Sequence, residues 1–196
     1  LHATFMNEEA IDLVCETKTP IVPTFTFQAN LADFGEIIGA SSDYKEFFRK
    51  EIVDNCEIFK KIHDAGVPLL CGTESGFSMT PYGEWHYRGL EVFVNDIGMS
   101  NLESIVCATK NASKALKMEG QVGTLETDML ADILILDENP LNDITVLGDK
   151  SKISSIILNG REVDRTKPET KITPPQGWRL SPYSDKILTQ KVAKNR

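Results

Sequence analysis

Three histidines, four cysteines and a scatter of carboxylates are the groups in this 196-residue chain that could do chemistry. His2 and Glu74 stand out by position. Glu74 lies in Gly72-Thr73-Glu74-Ser75-Gly76, directly after the apolar run Val67–Cys71, and Thr24 follows Ile21-Val22-Pro23. In parallel sheets, polar side chains just past the carboxyl ends of strands are the usual functional positions. His2, Thr24 and Glu74 all fit that placement. Two readings stand for each candidate. His2 is either a metal ligand or an ordinary residue near a chain end. Glu74 is either a catalytic or metal-binding carboxylate or a cap for the following helix.

The other candidates are weighed the same way. His86 lies among Trp85, Tyr87 and Arg88, and either reaches a substrate pocket or packs under the preceding loop. Arg88 could take a substrate carboxylate in its fork, or pair with Glu84 or Glu91. His63 sits in the last turn before Gly66, where a helix C-terminus favours a cationic ring; a structural role is expected. Cys15, Cys56, Cys71 and Cys107 are far apart with no CxxC pair, which excludes a zinc ribbon or a disulfide scaffold. They fall on apolar faces and have no neighbouring His, so they read as core residues.

The elements that must position these groups alternate. Asn7 before Glu8 and Glu9 predicts a capped helix ending by Thr19, ahead of Pro20. A short strand is expected over Ile21–Phe25 and a long connection over 26–43, holding at most a short helix. Phe48, Ile52, Cys56, Phe59 and Ile62 share one face of a helix over Tyr44–Ala65, stopped by Gly66. Val67–Cys71 reads as the next strand. Helices follow near Trp85–Ile97, after the Ser100/Glu103 capping box, and over Ala112–Met118. This alternation predicts an α/β chain with right-handed βαβ units and a parallel sheet. The pattern then turns antiparallel, with strands over Ala131–Leu136 and Ile153–Leu158 and an Asn159-Gly160 hairpin of type I′.

Composition excludes several classes. The chain is 41% apolar with a net charge of −8, and no apolar run approaches the roughly 20 residues of a membrane span. Eight basic and three acidic residues fall in 164–196, which leaves 13 basic and 26 acidic in 1–163. So acidic a body repels nucleic-acid phosphates. Neither a nucleic acid nor a membrane is expected as a partner. No signal peptide is visible, so a cytoplasmic location is expected. The chain begins at Leu1 rather than Met, so it is expected to be a piece of a longer polypeptide.

Several stretches, in order, resemble the metal-dependent amidohydrolase superfamily. His2-Ala3-Thr4 with Glu8, Glu9 and Ala10 is similar to the "HGTxxDEEAI" run after the sixth barrel strand. Pro68–Gly76 is similar to the eighth strand and its GTD-type ending. Gly98-Met99-Ser100 with Glu103 resembles "AGMTPxEAL", and Ala108–Ala112 with Leu116, Gly120 and Gly123 resembles "ATxNxAxxLGxxxxxG". Ala131–Asp137 with Asn139-Pro140-Leu141 resembles "ADLLVLDxNPL", and Ile156–Val163 resembles the closing "VxxxGRxV" hairpin. The nearest-looking branch holds imidazolonepropionase-like and Xaa-Pro-dipeptidase-like enzymes.

The resemblance implies the C-terminal part of a (β/α)8 TIM barrel with a small β-sandwich domain. It assigns 1–120 to the last βα units, 121–165 to a sandwich segment and 166–196 to an extended basic C-terminal tail. It implies a divalent metal, zinc as one or two ions, with His2 matching the sixth-strand ligand. Glu74 stands where the family has Asp, as metal ligand, proton shuttle or both. That residue is longer than Asp by one C–C bond, about 1.5 Å, whereas catalytic groups tolerate about 0.5 Å of misplacement. Tyr82 stands where many relatives have His, and with His86 and Arg88 it is a substrate-binding candidate. The expected partners are a small amide or dipeptide-like substrate and the N-terminal half of the same barrel, with a homo-oligomer possible in this family. The alternative is a catalytically inactive relative that binds a ligand or partner, with Glu74 marking the loss.

Overall fold

Asn7 opens helix α1 (Glu8–Thr17) as the sequence predicts, its side chain accepting from the Ala10 amide at 2.9 Å. The computed structural model describes residues 2–166 and 186–194. Lys18 ends α1 in the left-handed conformation. Ile21 and Leu69 then pair in parallel through one bridge, with Ile21 N–H donating to Pro68 O at 3.1 Å and Leu70 N–H to Ile21 O at 2.9 Å. The strands expected over Ile21–Phe25 and Val67–Cys71 are reduced to that bridge. Pro23 has no N–H to give a ladder, and Phe25 already opens helix α2 (Phe25–Phe34).

The connection expected over 26–43 is therefore mostly helical: α2 and then a 3-10 turn over Gly35–Ile38. Its sequence conceals it because Thr26 and Asn30 are buried along with Phe25, Ala29, Leu31 and Ala32. A helix wetted on so little of its surface shows no clean apolar stripe. The long helix α3 (Ser42–Asp64) buries the predicted face, including Phe48, Ile52, Cys56 and Phe59. Phe25 meets Phe59 edge-on at 5.3 Å and Phe93 at 6.4 Å, which locks α2 between α3 and the next helical stretch.

That stretch is α4 (His86–Val92), which continues as a π-helical turn over Phe93–Ile97. Helix α5 (Asn101–Ala108) carries the full capping box: Glu103 N–H donates to Ser100 Oγ at 3.2 Å, and Ser100 N–H to Glu103 Oε2 at 2.8 Å. The short α6 (Lys110–Ala115) follows. Strands β1 (Ile133–Leu136), β2 (Ile153–Leu158) and β3 (Arg161–Glu162) form one antiparallel sheet in the order β1-β2-β3. Asn159 and Gly160 both have positive φ, 49° and 74°, which a type I′ turn requires. Gly148 joins this region to the helices. A Cβ there would lie 2.4 Å from the Tyr87 ring, so only glycine permits the approach.

Of the tail expected over 166–196, residues 167–185, 195 and 196 lie outside the described residues. The described part is tied to the body. Leu188 is fully buried, its carbonyl accepts from Trp85 Nε1 at 2.7 Å, and its amide donates to Ser78 O at 2.7 Å. Helix α7 (Gln190–Lys194) follows. No helix among the described residues is long and apolar enough to cross a membrane.

Candidate active site

The Ile21–Leu69 bridge sets two chain ends side by side: Thr24 leaves one and Glu74 the other. Glu74 sits in the left-handed region at φ 48°, uncommon for a residue with a side chain. A small loop holds it there. Thr80 Oγ1 donates to the Glu74 carbonyl at 3.1 Å, Gly76 N–H donates to Thr80 O at 2.9 Å, and the Thr73 and Ser75 hydroxyls bond each other at 2.7 Å.

His2 arrives from a tight turn in which Ala3 and Phe5 also have positive φ. The Phe5 amide donates to Asn55 Oδ1 at 3.3 Å, which pins the turn to α3. The His2 ring is held at both nitrogens. Nδ1 is hydrogen-bonded to the Thr24 hydroxyl, and Nε2 lies 3.3 Å from Glu74 Oε2. Both side chains are about half exposed, 50% and 42%. A small pocket lies on the His2 side, lined by His2, Thr24, Gln28, Glu51 and Asn55 among others.

An imidazole nitrogen and a carboxylate oxygen are zinc donors, and two such donors about 2.0–2.2 Å from a tetrahedral ion lie about 3.4 Å apart. The 3.3 Å between Nε2 and Oε2 suits two neighbouring ligands of one ion. The donor types and spacing therefore fit a divalent metal, with part of its ligand set. Among the described residues, no group of three or more His, Cys, Asp or Glu gathers around one point.

The remaining predicted residues divide. Tyr82 is 77% exposed on the same loop, and its phenol would lie 3.3 Å from a Cβ placed on Gly76. His86 is exposed, with Nδ1 3.1 Å from Glu84 O, while its own carbonyl faces the Cys71 thiol at 3.9 Å. Arg88 does not join His2 and Glu74. It is only 8% exposed, donates to Glu91 Oε2 at 2.5 Å and to Ala29 O at 3.3 Å, and pairs with Asp33. Of its two readings, the ion pair is the one the fold realises, with Glu91. Glu84 instead takes Lys150 at 2.9 Å. His63 Nε2 lies 4.0 Å from Glu103 Oε1, an ion pair when the ring is protonated.

Burial pushes the thiols of Cys56 and Cys71 up to about 12 and that of Cys107 to about 11. Such thiols are protonated and inert at neutral pH. Sequence reasoning missed Asn55, the anchor of the His2 turn. It is 3% exposed, and a polar residue on the apolar face of α3 was its visible signal. The Thr24–His2 contact and the Asp33–Arg88 pair had no local signal at all.

The model of the amidohydrolase family matches residues 11–163. Ochratoxinase of Aspergillus niger is 28% identical over 163 residues, which are 82% of this chain and 32% of that protein. The chain thus spans about a third of the length of the curated relatives it matches. Its fold superposes on the crystal structure of A. niger ochratoxinase with a TM-score of 0.64 at 25% identity, covering 82% of this chain and 36% of that one. A Xaa-Pro dipeptidase with methionine bound in its active site gives 0.65 at 27% identity, covering 83% and 38%. A putative prolidase from Bifidobacterium longum shares the fold at 0.70 and 24% identity, covering 87% and 42%.

Proposed function

The chain belongs to the amidohydrolase family, a family of TIM-barrel hydrolases, and from that premise we propose that it supplies one side of a metal-dependent active site that hydrolyses a C–N bond of amide or peptide type. The observation that carries this is the 3.3 Å approach of His2 Nε2 to Glu74 Oε2, beside a small pocket that His2 lines. The names of its relatives, an ochratoxinase and a Xaa-Pro dipeptidase, support a small amide or dipeptide-like substrate. In this reading residues 1–120 are the last βα units of a barrel, with Ile21 and Leu69 at the pairing of its last two strands. Residues 121–165 contribute to a small sandwich. The remaining ligands come from the N-terminal half of the same barrel.

Of this chain's residues, His2 through Nε2 and Glu74 through Oε2 would hold the ion, and these donor types would favour zinc. Such an ion, when bound, lowers the pKa of water towards 7 and polarises the scissile carbonyl. Glu74 does the proton work. Its carboxylate takes one proton from the attacking water as the C–O bond forms, then gives that proton to the amine nitrogen as the C–N bond breaks. The products are a carboxylic acid and an amine, and Glu74 is returned as carboxylate. Tyr82 and His86, on and just after the Glu74 loop, are the substrate contacts of this proposal. Arg88 is assigned to holding α2 against α4.

The test uses the full-length polypeptide, loaded with zinc and desalted, with a panel of dipeptides and N-acyl amino acids. Bound metal and hydrolysis are expected, both reduced in His2→Ala and Glu74→Ala. A protein that retains no metal, and whose Glu74→Ala variant binds ligands unchanged, would overturn the hydrolase reading in favour of an inactive binding protein.

A further inference from the structure

We propose that Thr24 is the positioning residue of His2: its hydroxyl holds the imidazole at Nδ1 so that Nε2 stays aimed at Glu74. This rests on His2 being a metal ligand. Thr24 occupies the N-cap position of α2, where a threonine hydroxyl ordinarily accepts from an amide in the first helical turn. Here it makes no such bond. The hydroxyl instead reaches back across 22 residues to His2 Nδ1.

The geometry makes Thr24 a firm support. The Ile21–Leu69 bridge anchors the segment three residues before it. Gly72 presses against the same segment: a Cβ at Gly72 would lie 2.5 Å from Val22 Cγ1 and 3.7 Å from Thr24 Cγ2. The segments bearing Thr24 and Glu74 therefore keep a fixed separation, while His2 lies half exposed at the end of a turn. Metal-bound histidines are generally held through their second ring nitrogen. A hydroxyl has one property that a carbonyl partner lacks, because it both donates and accepts. With Nε2 carrying the proton towards Glu74, Thr24 donates to Nδ1. With Nε2 given to a cation, Nδ1 carries the proton and donates its hydrogen bond to the Thr24 hydroxyl oxygen. The ring can change tautomer without turning.

Thr24→Val, Thr24→Ala, Thr24→Ser and His2→Ala are compared in the full-length protein. Zinc affinity is read by competition with a chromophoric chelator, and the His2 ring by its ¹⁵N spectrum in the metal-free protein. Folding is checked by melting. The two hydroxyl-free variants should bind zinc about 10–100-fold more weakly with altered His2 ring shifts, and Thr24→Ser should stay close to wild type. If His2→Ala weakens zinc binding while Thr24→Val and Thr24→Ala do not, the proposal for Thr24 fails and the ligand reading stands. If His2→Ala leaves zinc affinity unchanged, the ligand reading fails instead. A His2 spectrum identical in wild type and the folded hydroxyl-free variants overturns the Thr24 contact by itself.

Discussion

His2 Nε2 and Glu74 Oε2 lie 3.3 Å apart although most of the helical body separates them in the chain. One is delivered by a turn pinned to α3 through Asn55, the other by a left-handed residue in a glycine-flanked loop. Their approach rests on the parallel bridge between Ile21 and Leu69 that sets the two segments side by side.

Removing the charge at Glu74 while keeping its shape should remove the proton acceptor. On the proposed mechanism, kcat/KM of Glu74→Gln in the full-length protein is expected to fall about 10²–10⁴-fold. Glu74→Asp withdraws the carboxylate by about 1.5 Å and should cost about 10–100-fold. Steady-state kinetics on a cleaved amide substrate checks both. An Asp variant as active as wild type would show that the longer side chain is not needed to reach its position.

The left-handed backbone of Glu74 carries a cost that glycine would not. Glu74→Gly should raise stability by about 1 kcal/mol, the release of strain exceeding the added freedom of the unfolded chain, while abolishing hydrolysis. Denaturant melts with an unchanged m-value are the measurement. A loss of stability would show that the side chain contributes more through its contacts than the backbone costs.

Arg88 is a stability residue in this fold. Arg88→Met leaves Glu91 without this cation in a half-buried setting, while Asp33 keeps its pair with Arg49; breaking a fully buried pair costs about 3–5 kcal/mol. Both carboxylates keep some solvent and Asp33 keeps Arg49, so about 2 kcal/mol is expected, below that range. KM for the substrate should stay unchanged in variant protein that folds. A KM effect without loss of stability would restore Arg88 to the substrate site.

Three of the four thiols are held protonated by burial, with values of about 12, 12 and 11 for Cys56, Cys71 and Cys107. At pH 8 a thiol reagent should label Cys15 quickly in native protein. The other three should react only after unfolding, because thiolate is the reactive form. Peptide mapping of timed samples distinguishes the sites.

The α5 capping box gives a pH-dependent increment. Hydrogen bonds from Ser100 hold the Glu103 carboxyl below the usual glutamate range. A lowered folded-state pKa contributes stability above the unfolded value, and that contribution is lost as the pH falls through the folded one. Ser100→Ala should cost about 1 kcal/mol at pH 7. The gap from wild type should narrow below about pH 4, because the carboxylate half of the box titrates there and the Ser100 hydroxyl half does not.

The sequence by itself determined what is local. The Asn7 cap, the apolar face of α3, the Ser100–Glu103 box and the Asn159-Gly160 turn each lie within a few residues, and each appears as expected. The ordered motifs also marked the family and singled out His2 and Glu74. Tertiary structure decided the rest. Helix α2 was hidden behind Pro23 because it is buried on nearly every side and shows no stripe. Arg88 became a structural cation because Asp33 meets it across α2 and α4, a pairing that no spacing encodes. Thr24 looked like one more polar residue at a strand end until the Ile21–Leu69 bridge and the close approach of Gly72 brought it to His2. Short-range rules fix caps, turns and faces through backbone geometry that a few residues complete. Contacts between distant segments depend on packing, which only the folded chain supplies.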